Sequence, residues 1–83
     1  MKKKYYYDVF INNVLIKRIC FQNERSNNDL LFDLIMMFTC TADNEVNKII
    51  DTFLHGADCI KKEGNITFES DEGHTIDLIP FIN

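Results

Sequence analysis

Two β-branched and aromatic runs, Tyr5 to Ile11 and Val14 to Phe21, meet at the dipeptide Asn12-Asn13, and this junction constrains the chain more than any other feature. Asparagine tolerates the positive φ that a two-residue hairpin turn demands, and the flanking residues are types that suit a pleated strand. The pattern predicts an N-terminal β-hairpin. In its first strand Tyr5, Tyr7, Val9 and Ile11 share one face, while Tyr6, Asp8 and Phe10 share the other. Both faces are partly apolar, which predicts helices over one side and aromatic rings reaching onto the other.

The period then changes. Ser26-Asn27-Asn28-Asp29 offers N-cap oxygens and an acidic first turn, so a helix is expected to begin there. Its apolar residues, Leu30, Leu31, Phe32, Leu34, Ile35, Met37 and Phe38, cover roughly 220° of the helical wheel, more than one sheet contact buries. After the capping residues Thr41 to Asn44, a second amphipathic helix is predicted from Glu45 to about Lys62. There Val46, Ile49, Ile50, Phe53, Leu54, Ala57 and Ile60 fall within roughly 140°. Gly56 would lie inside that helix and Gly64 just past its end, with Lys61 and Lys62 favouring the C-terminus.

Asn65 to Ser70 and Thr75 to Ile82 read as a second hairpin around Asp71-Glu72-Gly73-His74. Pro80 lacks an amide proton and suggests an edge strand or the end of pairing. The expected fold class is therefore α+β: a four-stranded antiparallel sheet made of two hairpins, with two helices packed on one face, in the order ββααββ. At 83 residues the chain is expected to be one domain, residues 1–83, burying roughly 60 to 65% of its unfolded surface. A hydrophobic fraction of 46% separates it from disordered compositions. No apolar run approaches the roughly 20 residues a membrane helix requires, and Lys2 to Lys4 are followed by no secretory pattern. Cys20, Cys40 and Cys59, an odd number at even spacing, fit free thiols in a reducing cytoplasm, which is the expected location.

Chemistry-bearing constellations are sparse. Asp51, His55 and Cys59 follow one another at i, i+4 and i+8 and would line one stripe of the second helix. No second Cys/His pair closes a tetrahedral site, so no metal is expected, and the stripe is also the solvated face. His55 and Cys59 also have the types of a base and a nucleophile, yet no glycine-rich oxyanion or phosphate loop accompanies them. No catalytic residue and no cofactor is expected.

Charge is distributed unevenly. Residues 1–25 carry six Lys/Arg against two Asp/Glu, while residues 26–83 carry three against eleven. Lys2 to Tyr7 sets cations beside aromatics, a chemistry of single-strand nucleic-acid binders. Lys3, Lys4, Tyr5, Tyr7, Lys17 and Arg18 therefore define one reading, a nucleic-acid-binding regulator, which a pI near 4.9 disfavours. The acidic part is the better lead. Asp58, Glu63, Glu69, Asp71, Glu72 and Asp77 gather late in the chain and predict a negative surface that steers the domain towards basic partners. Phe32 and Met36, at the sides of the first helix's wide apolar arc, add adaptable apolar anchors and make a homodimer through that helix a further expectation.

The sequence thus predicts a small non-enzymatic protein-binding module, an inhibitor or adaptor. Its expected partner is a protein with a basic nucleic-acid-binding groove, and an anti-defence protein of a phage or mobile element, such as an anti-CRISPR, is one form it would take. The expected contact residues are Glu69, Asp71, Glu72, Asp77, Phe32 and Met36.

Overall fold

The computed structural model describes residues 5–21, 26–39, 43–62 and 64–81. The N-terminal hairpin forms as the asparagines dictate: β1 (Tyr5–Ile11) and β2 (Val14–Phe21) pair antiparallel across Asn12 (φ 49°) and Asn13 (φ 68°). Val9 faces Lys17 and Phe10 faces Leu15, so Ile16 is an extra residue that bulges β2. Bulges of this kind bend a strand and strengthen its twist.

Helix α1 (Asn27–Thr39) starts behind Ser26, whose hydroxyl accepts from the Asp29 amide at 3.3 Å. Helix α2 (Asn44–Phe53) is capped by Asp43, which accepts from the amides of Glu45 at 2.9 Å and Val46 at 3.2 Å. Each cap satisfies amides that the first helical turn leaves without partners.

Helix α2 stops well short of the length its apolar spacing predicts. Gly56, at φ 144°, takes a conformation that other residues rarely adopt, and the chain turns into a fifth strand, β3 (Ala57–Lys62). β3 folds back over Gly64 (φ 84°) onto β4 (Asn65–Ser70), so Gly64 serves a strand turn and not a helix end. Apolar periodicity could not separate the alternatives. Ala57 fits the apolar spacing of a helix and packs against the core from a strand, and pairing with β4, distant information at that point, decides the outcome.

β5 (Thr75–Phe81) completes an antiparallel sheet in the order β2-β1-β5-β4-β3. Among the described residues the sheet has five strands rather than four, the element order is ββααβββ, and β5 is central rather than an edge. Pro80 still marks an end of pairing on one side, because the β4 ladder stops at Ile66↔Leu78. Ile82 lies outside the described residues.

One cluster forms the core. Val9, Ile11, Ile19, Ile66, Phe68, Ile76 and Leu78 of the sheet meet Leu30, Leu34, Ile35 and Phe38 of α1 and Ile50 and Phe53 of α2. All the sheet residues in this cluster sit on one face, so both helices cover that face. No described element covers the other face.

Candidate functional site

The open face is built by alternation. Residues directly opposite on antiparallel strands project to the same side, so the strand registers fix its layout. Leu15, Phe10, Asp77, Thr67 and Ile60 are successive partners from β2 to β3 and form one row across the sheet. On one side of that row lie Arg18, Asp8 and Ile79, followed by Cys20, Tyr6 and Phe81. On the other side lie Thr75, Glu69 and Asp58.

The face is polarised along this layout. At the end near Tyr6, the Arg18 guanidinium bonds Asp8 at 2.7 Å and stacks 3.7 Å from the centre of the Phe81 ring, which Tyr6 meets edge-on at 5.7 Å. The Asp8 hydrogen bond raises the pKa of Arg18 above its ordinary value. Charge and ring contacts at this end are therefore met within the molecule. At the opposite corner Asp58 and Glu69 are direct cross-strand partners, and Asp77 sits on the diagonal beside Glu69, accepting a hydrogen bond from the Thr67 hydroxyl. Like charges directly opposite on a ladder destabilise it. Among the described residues neither Asp58 nor Glu69 forms an ion pair. Leu15 and Ile60, 56% and 51% exposed, close the middle row at its two edges, with Phe10 inside that row and Ile79 in the next row beside Asp8.

The expected contact residues do not form one patch. Glu69 and Asp77 are on the open face, whereas Asp71 and Glu72 occupy the β4–β5 turn. Asp71 rests its carboxylate over Gly56, 2.7 Å from where a Cβ would stand. Glu72 borders a shallow cleft of about 620 Å³ between α2 and that turn, with Glu45, Asp51, His55 and His74. Phe32 and Met36, 63% and 55% exposed, project from the outer side of α1, across the molecule from Glu69 and Asp77. Asp58, by contrast, belongs with Glu69, a pairing invisible while residues 57–62 are read as helix.

The other candidate sets are also separated. Asp51 is helical, His55 follows the helix end and Cys59 is in β3, so the predicted three-residue stripe does not exist. Among the described residues no group of three metal-ligating side chains converges. Tyr7 packs against the core on the helix-covered face, with Tyr5 on the same side, while Arg18 lies on the open face. Lys3 and Lys4 lie outside the described residues. Cys20 and Cys59 are free and exposed, and Cys40 lies outside the described residues.

His74 plays a structural part. Asn12 Oδ1 accepts from the Thr75 amide at 3.0 Å, which turns its Nδ2 towards His74 Nδ1, also at 3.0 Å. Nδ1 is thus the acceptor and the imidazole proton belongs on Nε2. This bond ties the first hairpin turn to the second. No protein-family model, curated protein or solved structure matches the chain. No helix among the described residues is long and apolar enough to cross a membrane.

Proposed function

We propose that the chain is a small non-enzymatic protein-binding module, an inhibitor or adaptor, that sets the acidic corner of its open sheet face against a basic surface of another protein. The observation that carries this reading is the direct opposition of Asp58 and Glu69, with Asp77 beside them, on a face that no described helix covers. A ladder that places two carboxylates across from each other gives up stability, and a partner's Lys or Arg would relieve that strain on binding. Basic grooves that hold nucleic acid have the matching charge, so occupying such a groove is the mode of inhibition that fits. An anti-defence protein of a phage or mobile element would act in this way. Asp71 and Glu72 would extend the contact around the turn, and Phe32 and Met36 would serve a separate contact on the helical side, with a second copy or another part of the partner.

Direct nucleic-acid binding is the weaker reading. Arg18 is already neutralised by Asp8, and the acidic corner would repel phosphate.

The test is capture of the partner on tagged protein after nuclease treatment, repeated with Asp58→Lys, Glu69→Lys and Asp77→Lys combined. The expected result is a stoichiometric protein partner that survives nuclease and binds the triple variant at least tenfold more weakly. Undiminished capture by the variant, or recovery of nucleic acid alone, would overturn the proposal.

A further inference from the structure

The open-face positions of β1 and β5, two of the three interior strands, are Tyr6, Asp8 and Phe10 on β1 and Thr75, Asp77, Ile79 and Phe81 on β5. Four of these seven are apolar or aromatic, whereas the exposed side of a one-layer-covered antiparallel sheet ordinarily alternates to polar residues. Leu15 continues the apolar area onto β2. Apolar and acidic areas therefore abut on one surface, with the boundary running between Phe10 and Asp77, which are direct partners.

We infer that the element seated on the open face is amphipathic along its length, a segment whose cationic block lies over the acidic corner of Asp58, Glu69 and Asp77 and whose aliphatic block lies over Ile79, Phe10 and Leu15. This rests on the protein-binding reading above and specifies the partner. Adjacent strands are about 4.8 Å apart, so the step from Asp58 on β3 to Phe10 on β1 is roughly 14 Å. A helix covers that distance in roughly ten residues. Charge complementarity decides against the obvious alternative occupant, a second copy: it would bring its own formal charge of −4 and a second acidic corner. The Arg18–Asp8–Phe81 assembly, satisfied internally, bounds the surface on the side near Tyr6.

The inference is tested with three synthetic fourteen-residue peptides titrated into isotopically labelled protein: one with an Arg block followed by a Leu block, one with the same Arg block followed by Ser, and one with a Glu block followed by Leu. The Arg-Leu peptide is expected to bind at least tenfold more tightly than Arg-Ser, moving the amide signals of Phe10, Ile79, Thr67 and Glu69 but not those of Phe32 and Met36. Glu-Leu is expected not to bind. Phe10→Ser combined with Leu15→Ser, checked for native spectral dispersion, is expected to reduce Arg-Leu binding to the Arg-Ser level. Equal binding of Arg-Leu and Arg-Ser would overturn this inference while leaving the acidic contact standing. Binding of neither, or binding indifferent to Glu69→Lys, would overturn both. Concentration-dependent dimerisation through the open face, or displacement of the peptide by single-stranded RNA, would assign the face to another occupant and overturn the inference.

Discussion

The two faces of this sheet are written by the same strands and have opposite characters. On the helix-covered face Val9, Ile11, Ile76, Leu78 and Phe68 are almost wholly buried, and none of them is polar. One residue along, on the open face, the same strands present Asp8, Phe10, Asp77, Ile79 and Thr67, and two carboxylates oppose each other at the edge. The closed side carries the stability of the fold. The open side gives some of it up, and the arrangement is intelligible if that side is completed by another molecule.

Substitutions that separate the faces test this contrast. Phe68→Ala on the closed face removes a buried ring from between the helices and the sheet and should cost about 3 to 5 kcal/mol, close to the whole stability of a domain this small. Its denaturation midpoint in urea reads the loss directly, and a cost under about 1 kcal/mol would mean the core is not where we place it. Gly56→Ala comes next. It strains a φ of 144° and drives a methyl group towards the Asp71 carboxylate, and should cost about 1 to 3 kcal/mol by the same measurement. A neutral result would return residues 54–57 to the helix. Asn12→Ala removes the side-chain bonds to the Thr75 amide and to His74, leaves the backbone bond from the Asn12 amide to the Thr75 carbonyl, and should cost about 1 kcal/mol. Ile79→Ser on the open face should change stability by no more than about 0.5 kcal/mol. A loss comparable to that of Phe68→Ala would show that the open face is a second core and would erase the comparison.

The sequence made the local elements legible and left the long-range ones hidden. Asn12-Asn13, the Ser26 and Asp43 caps and the Asp71 to His74 turn act within a few residues of themselves, so their hairpins and helix starts are readable in order. The end of α2 is different. Residues 57–62 continue a helical apolar period, and only β4, folding back over Gly64, turns them into β3. The candidate site inherits that limit. Alternation in β1 already set Tyr6, Asp8 and Phe10 apart from Val9 and Ile11. The partnership of Asp58 with Glu69 requires β3 to be a strand, and the stacking of Arg18 on Phe81 requires β1 to lie beside β5. For the same reason the expected set of acidic and apolar contacts was divided: Phe32 and Met36 are close to the acidic hairpin in no register, because the sheet lies between them.

The most direct test of the central claim is the urea-unfolding midpoint of Glu69→Gln beside the wild-type protein, each with and without the Arg-Leu peptide. A carboxylate pair held for a partner predicts that Glu69→Gln alone is more stable, by about 0.2 to 1 kcal/mol, and that the peptide stabilises it less than it stabilises the wild type. A lower midpoint for the variant, or an equal rise with peptide in both proteins, would contradict the account.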